Sequence, residues 1–219
     1  MKAFTDLIFT ADFFYSILRV TTPLLFASMG AVVSDVAGVP NIALEGMMLI
    51  AAFAGMFFSY LFDSAVAGLL FAVLFAVLAA SVLAFFTLYY KTNIILGGIA
   101  INSLASGGTI FFLYLVAHDK GTSVSLASKV LPSVTIPVIE SIPVIGPAIS
   151  GHNVLTYLAI LSVVFTFFLL KRTSLGWHIR AVGEKKEAAD SVGISVAKTQ
   201  AIALIPSGMM CGIGGAFMS

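Results

Sequence analysis

Residues 64–90 read SAVAGLLFAVLFAVLAASVLAFFTLYY, and this stretch contains no Asp, Glu, Lys or Arg. A helix that crosses a bilayer needs about 20 predominantly apolar residues, and a charge at its centre costs roughly 2.5 to 3.5 kcal/mol on insertion scales. A run of this length and composition predicts a transmembrane helix. Asp63 precedes it and Lys91 follows it, so charges stand only at its two ends.

Other stretches of the chain show the same pattern. Four more runs lack charged residues and are long enough, or nearly so, to span a bilayer: residues 46–62, 92–117, 153–170 and 199–219. A sixth candidate covers about residues 13–33, with Arg19 near its start, where a long side chain can reach the interface. We therefore predict an all-α fold, a polytopic transmembrane helical bundle of about six spans, as a single domain over residues 1–219.

The overall composition agrees with this and excludes several classes of protein. Hydrophobic residues make up 60% of the chain and charged residues 10%, against about 25% charged residues in a soluble domain. A net charge of +1 argues against a nucleic-acid partner. The single Cys211 cannot form an internal disulfide or a metal site. Three histidines lie far apart in sequence, so neither a metal site nor a catalytic cluster is predicted: His118, His152 and His178.

The basic residues predict the orientation in the membrane. Most of them fall in the loop of residues 171–198: Lys171, Arg172, Arg180, Lys185, Lys186 and Lys198. Loops rich in Lys and Arg face the cytoplasm, and counting spans backwards makes residues 118–152 an extracytoplasmic loop. Lys120 and Lys129 in that loop oppose the assignment. Its prolines predict a folded loop, either a connector packed on helix ends or a contact for a substrate-delivering protein.

Residues 34–46 predict a break between two helices. Gly38 and Pro40 disfavour a continuous helix, Asn41 can cap a new one, and Glu45 falls in its first turns, where the helix dipole favours an acid. Two interpretations remain open. The segment is either a cytoplasmic turn or a re-entrant element beside the translocation path, since broken helices at membrane depth must be buried or line a cavity.

Polar and small residues within the spans predict contacts between helices. Asn102 lies in mid-span, where an amide must find a partner, and it either bonds to a neighbouring helix or lines a polar path. Small residues recur at four-residue spacing and predict close packing of backbones: Gly208, Gly212 and Ala216, Ala51, Gly55 and Ser59, and Gly98, Asn102 and Ser106.

Three separated motifs resemble a known family. Residues 38–48, GVPNIALEGMM, are similar to a motif of the permeases that serve nucleoside, simple-sugar and branched-chain amino-acid ABC importers. Residues 180–184, RAVGE, resemble the nucleoside and simple-sugar branch. Glu187, Ala188 and Ala189, followed after three residues by Gly193, resemble the Glu-Ala-Ala-x-x-x-Gly signature of the cytoplasmic coupling loop. Three positions depart from the family pattern: Ala43, Lys185-Lys186 and the ending Ala203-Leu-Ile-Pro206.

The resemblance implies a permease subunit of the plasma membrane, multi-pass, that is not itself an enzyme. Its implied partners are a cytoplasmic ATP-binding subunit, a second permease subunit and an extracytoplasmic substrate-binding protein. The chain has no Gly-x-x-x-x-Gly-Lys-Ser/Thr segment for phosphates, so ATP hydrolysis is expected in a partner, and no cofactor is predicted. Because family members continue further and Ser219 ends an uncapped apolar run, we expect more chain beyond it.

The resemblance also implies a role for the loop of residues 171–198 in coupling to the ATPase. Its expected contact residues are Glu184, Glu187, Ala188, Ala189 and Gly193. We expect a short helix from about Glu184 to Val192, ended by Gly193 in the left-handed conformation. Ala188 and Ala189 would allow a close approach to a groove on the partner. The alternative is a solvated loop that only carries basic residues.

The substrate implied by the resemblance is a nucleoside, with simple sugars second and branched-chain amino acids third. A secondary transporter is a less favoured alternative, because it needs intramembrane acids to bind its coupling ion and the central runs contain none. The translocation path would include Asn41, Glu45 and Asn102.

Overall fold

The computed structural model describes residues 10–117, 128–135 and 150–219, which are mostly helical. The helices are α1 Ala11–Val36, α2 Leu44–Phe62, α3 Ala65–Leu88, α4 Ile94–Ala117, α5 Val154–Arg172, α6 Ser174–Glu184, α7 Lys186–Ser191 and α8 Val196–Met218. Two short strands, β1 Ser133–Val134 and β2 His152–Asn153, pair antiparallel. Most of the predicted extracytoplasmic loop, residues 118–127 and 136–149, lies outside the described residues.

Six of these helices are long and apolar enough to cross a membrane: α1, α2, α3, α4, α5 and α8. This confirms the predicted all-α polytopic bundle and its count of spans. The reason is local, because long uncharged runs form the spans and polar residues cap two of their helices. Ser64 caps α3 by accepting from the Ala67 N–H at 3.5 Å, and Asn153 caps α5 by accepting from the Leu155 N–H at 3.0 Å.

Helix α8 lies at the centre and packs against α1, α2 and α3. Its glycines allow the close approach. A Cβ atom at Gly208 would lie 2.5 Å from the Cβ of Ala80, and one at Gly212 would lie 2.7 Å from the Cα of Val73. The stripe predicted from sequence is therefore a packing surface toward α3, where small residues permit van der Waals contact between backbones.

The largest buried cluster joins these four helices. It includes Val33 of α1, Met47 of α2, Leu83 of α3, and Leu204 and Cys211 of α8, all at most 1% exposed. Helix α5 packs against α1 at one edge, whereas α4 packs against α2 and α3 at another. Most of the α4 surface is exposed within the described chain.

The loops gather at two opposite ends of the bundle. One end holds β1 and β2, the stacked rings of Tyr15 and His152 at 4.0 Å, and an exposed ion pair between Lys129 and Asp63 at 2.8 Å. We call it the strand end. The other end, which we call the basic end, holds α6 and α7. The loops of residues 118–152 and 171–198 thus leave opposite ends of the spans, as the charge count requires, and Lys129 has an acidic partner.

Candidate functional site

The break between α1 and α2 begins where hydrogen bonds at Gly38 end α1. Gly38 has φ +69°, its N–H donates to the Asp35 carbonyl at 2.8 Å, and the Val39 N–H donates to the Ser34 carbonyl at 3.1 Å. This pair of hydrogen bonds is the Schellman motif, which places glycine in the left-handed conformation just beyond the helix. Pro40 follows and cannot continue a helix.

The segment then returns into the bundle. Ala37 accepts a hydrogen bond of 3.2 Å from Nε2 of Gln200, whereas Asn41 donates one of 2.9 Å from Nδ2 to Oγ of Ser207. Gln200 and Ser207 are seven residues apart on α8, which is about 10 Å along a helix. Residues 38–41 therefore run alongside α8, with Val39 and Asn41 buried and Pro40 exposed.

Asn41 is the centre of a buried polar cluster and is 4% exposed. Its Oδ1 accepts from the Ala43 N–H at 3.0 Å, and its own N–H donates to Oγ of Ser34 at 3.3 Å. The prediction that Asn41 is the N-cap of α2 is wrong. Ala43, not Asn41, is the N-cap position of α2, and Asn41 closes the turn that leads into the helix. Its side chain points into the core between α1 and α8.

Asn102 of α4 makes two hydrogen bonds to backbone groups at the start of α2. Its Oδ1 accepts from the Gly46 N–H at 2.8 Å, and its Nδ2 donates to the Ile42 carbonyl at 2.9 Å. The first N–H groups of a helix have no partner within that helix, so the amide satisfies one of them. Of the two alternatives predicted for Asn102, the hydrogen bond to a neighbouring helix is therefore present.

Glu45 differs from these two amides because its side chain is exposed. It lies in the first turn of α2, where the helix dipole favours an acid. It directly precedes Gly46, whose N–H donates to Asn102. Asn102 is eight residues beyond the start of α4, or about 12 Å along that helix. Glu45 is thus a carboxylate well inside the length of the bundle, although sequence analysis had found no acid in the central runs. Of the three path candidates, it is the most available to a ligand.

The basic end contains two consecutive helices. The short helix predicted from about Glu184 to Val192 is present as α7, with a later start: α6 ends at Glu184, Lys185 is extended with φ −153° and ψ 98°, and α7 begins at Lys186. Gly193 has φ +85° and ends α7 through a second Schellman motif, with N–H bonds from Gly193 to Asp190 and from Ile194 to Ala189. The predicted role of Gly193 as a helix ending is confirmed.

The five residues predicted to contact the ATPase are not all exposed. Glu184, Glu187, Ala188 and Gly193 are exposed, but Ala189 is 3% exposed. Ala189 therefore packs against its own chain, which corrects the expectation that both alanines face a partner. A Cβ atom added to Gly193 would meet nothing within 4 Å. Glycine is favoured there by its backbone angle and not by lack of space.

Comparison with known proteins now identifies the family. Residues 13–219 match the family described as branched-chain amino acid transport system / permease component. The chain belongs to this family. The permease-family chain is 33% identical to the guanosine ABC transporter permease protein of Bacillus subtilis, and 31% identical to the nucleoside ABC transporter permease protein of Lactococcus lactis. It is also 31% identical to the putative glucose ABC transporter permease protein of Haloferax volcanii.

These alignments cover 88%, 92% and 96% of the permease-family chain but 62%, 65% and 63% of the respective relatives. The chain thus spans less than two thirds of the length of the curated relatives it matches. No solved structure matches it significantly. Six spans together with this family membership make it a multi-pass protein of the plasma membrane. The three relatives above are named as permease proteins.

A contact between α6 and the end of α1 joins the basic end of the chain to the break between α1 and α2. A Cβ atom at Gly183 of α6 would overlap the Val36 carbonyl oxygen at the end of α1. One at Gly38 would lie 3.4 Å from the Cα of Gly183. The segment before α7 therefore rests directly on the broken segment. Sequence analysis missed the roles of Gly183, Gln200 and Ser207. The only available signals were a glycine in the RAVGE motif and two polar residues in an apolar run.

Proposed function

We propose that this chain is the permease subunit of an ATP-binding-cassette importer and forms part of the translocation path for nucleosides. Its membership of a permease family supports this proposal, as do relatives named for guanosine and nucleoside transport. The proposed partners are a cytoplasmic ATP-binding subunit, a second permease subunit and an extracytoplasmic substrate-binding protein. Hydrolysis of ATP is assigned to the ATP-binding subunit.

The observation that carries the coupling part of the proposal is the contact of Gly183 with Val36 and Gly38. In this proposal, the ATP-binding subunit docks on the exposed side chains at the basic end: Glu184, Glu187 and Ala188. A movement of α6 then acts on the end of α1 and on residues 38–43 without a flexible linker between them. Packed elements transmit such displacements because protein interiors do not compress easily.

The broken segment is the proposed border of the translocation path. Asn41 and Asn102 hold its backbone through the hydrogen bonds described above, so they are positioning residues. Glu45 is the proposed ligand-facing group, since a carboxylate accepts hydrogen bonds and nucleosides carry sugar hydroxyl and amino donors. Simple sugars carry similar hydroxyl donors, and the Haloferax volcanii relative is named for glucose. A sugar is therefore the second candidate substrate.

Uptake in a deletion strain tests the proposal. The complete permease would be restored together with its neighbouring transporter genes, and cells would be given labelled guanosine, uridine, glucose or leucine. We expect accumulation of the two nucleosides, and its loss when the ATP-binding subunit is deleted. Glucose uptake alone would establish the sugar alternative. Uptake that persists without any ATP-binding subunit would contradict an ABC importer and favour a secondary transporter.

A further inference from the structure

A groove lies between the basic ends of α3 and α8. Its volume is about 390 Å³, and its walls include Phe85, Leu88, Tyr89, Lys198, Ala201 and Ile205. It reaches from Tyr89 to Ser81, eight residues or about 12 Å along the helix. The hydroxyl of Ser81 donates to the Val77 carbonyl at 2.7 Å, so it offers no free donor to a ligand. Except at its mouth, the groove is an apolar slot.

The groove has room for one hydrocarbon chain. Its volume is about 390 Å³, and it extends over about 12 Å of α3. A neighbouring helix is about 10 Å across and could place only side chains in the groove.

The mouth of the groove carries a positive charge without a partner. Lys198 is exposed in the first turn of α8, and it has no ion pair within the described chain. Ser195, the N-cap of α8, makes no side-chain hydrogen bond to the helix, and no acidic residue lies in the first turn. A lysine is unfavourable beside the positive end of a helix dipole. An anion placed there would be stabilised by both Lys198 and the backbone N–H groups.

Aromatic residues mark this mouth as the membrane interface. The ring of Phe85 stacks on that of Tyr89 at 5.4 Å, and the ring of Phe86 stacks on that of Tyr90 at 5.7 Å. Both tyrosines are mostly exposed. Tyr side chains concentrate at headgroup level because the ring is apolar and the hydroxyl is hydrated. The apolar slot therefore runs from headgroup level toward the hydrocarbon core.

We propose that this groove binds an anionic phospholipid, with one acyl chain between α3 and α8 and the phosphate at Lys198. The acyl chain matches the length and polarity of the slot, and the negative headgroup matches the unpaired cation at its mouth. A lipid with a zwitterionic headgroup offers the same chain but less net charge. Anionic lipids are concentrated in the cytoplasmic leaflet, which is the side predicted for the basic end.

Native mass spectrometry of the complete transporter, purified in detergent, tests this assignment. The probes are phosphatidylglycerol and phosphatidylcholine with identical acyl chains, and soluble glycerol phosphate as competitor. We expect the wild type to retain phosphatidylglycerol preferentially, and Lys198→Gln to lower that retention about fivefold, the effect of one basic residue near an anionic surface. Lys198→Arg should keep it. Lys171→Gln, which removes a cation at the end of α5, should not change it.

A second variant tests the groove separately from the charge. Ala201→Phe places a ring in the slot, so it should lower retention of both phospholipids while Lys198 remains. Equal phosphatidylglycerol retention by the wild type and Lys198→Gln would overturn the proposal. Full competition by glycerol phosphate would also overturn it, because a free anion would then account for binding without the groove. None of these outcomes depends on the transported substrate.

Discussion

The amide nitrogen Nδ2 of Asn41 donates a hydrogen bond of 2.9 Å to the hydroxyl of Ser207, which lies 166 residues further along the chain. Both side chains are buried, at 4% and 0% exposure. This bond holds residues 38–41, which lie in the break between α1 and α2, against the middle of α8. Because the Asn41 side chain also accepts from the Ala43 N–H, its loss removes the partner of two buried polar groups, that N–H and the Ser207 hydroxyl.

Asn41→Ala should therefore destabilise the protein by about 1 to 3 kcal/mol, the cost of unsatisfied buried groups. Ser207→Ala should cost less, since it removes one acceptor only. The double variant should be less destabilising than the sum of the two, because both changes remove the same bond. Thermal unfolding of the complete protein in detergent measures all three. Additive losses would show that the Asn41–Ser207 bond does not contribute.

Glu45→Gln should lower substrate uptake while leaving expression and assembly of the transporter normal. The side chain is exposed, so the change in charge does not disturb packing. A hydrogen bond to a charged group contributes about 1.5 to 3 kcal/mol, so uptake should fall about tenfold or more if the carboxylate holds the substrate. Ser103→Ala, at an exposed position on α4, serves as the control. Wild-type uptake by Glu45→Gln would leave only the structural role at the start of α2.

Gly193→Val should uncouple transport from ATP hydrolysis. The position has φ +85°, which is strained for a β-branched residue, although its Cβ would meet nothing within 4 Å. Substrate-stimulated ATP hydrolysis and uptake should both fall about fivefold or more, since such strain costs about 1 to 3 kcal/mol. Gly193→Asn should retain most of both activities, because asparagine tolerates the left-handed conformation.

A matched glycine separates local strain from loss of coupling. Gly151 at the strand end has φ +87° and equally open space at its Cβ. Gly151→Val should impose similar strain far from α7 and leave stimulated ATP hydrolysis largely intact. Gly193→Val with wild-type uptake, in a correctly inserted protein, would contradict the coupling role.

Single cysteines test the orientation of the spans. In a Cys211→Ala background, an impermeant maleimide should label Ser133→Cys in intact cells, and Ser174→Cys only after the cells are permeabilised. Both serines are exposed. Ser125→Cys would probe the same loop as Ser133, but residue 125 lies outside the described residues. The opposite labelling pattern would reverse the predicted topology.

Gly212→Ala should destabilise the bundle by about 1 to 3 kcal/mol, because a Cβ there would lie 2.7 Å from the Cα of Val73 and force α3 and α8 apart. Gly107 of α4 is the matched control, since its added Cβ would meet nothing within 4 Å. Gly107→Ala should cause no loss of stability in the same detergent unfolding experiment. Equal behaviour of the two variants would contradict the close packing of α3 on α8.

The sequence by itself determined the number of spans, their approximate bounds and the interruption near Gly38. These features depend on local chemistry, because a buried charge is costly at any position in a membrane helix and glycine and proline end helices wherever they occur. The three motifs also sufficed to predict the family. The role of Gly193 could be predicted because a helix ending involves only a few neighbouring residues.

Only the tertiary structure decided which groups meet. Asn41 and Ser207, or Gly183 and Val36, come together through the way α1, α6 and α8 cross, and no local pattern encodes a contact over so many residues. Of two adjacent alanines in one motif, Ala189 is buried and its neighbour is exposed, because α7 turns only one of them toward α6 and α8, the helices it contacts. Helix rotation is a property of the packed bundle, so contacts that depend on it cannot be predicted from composition and spacing.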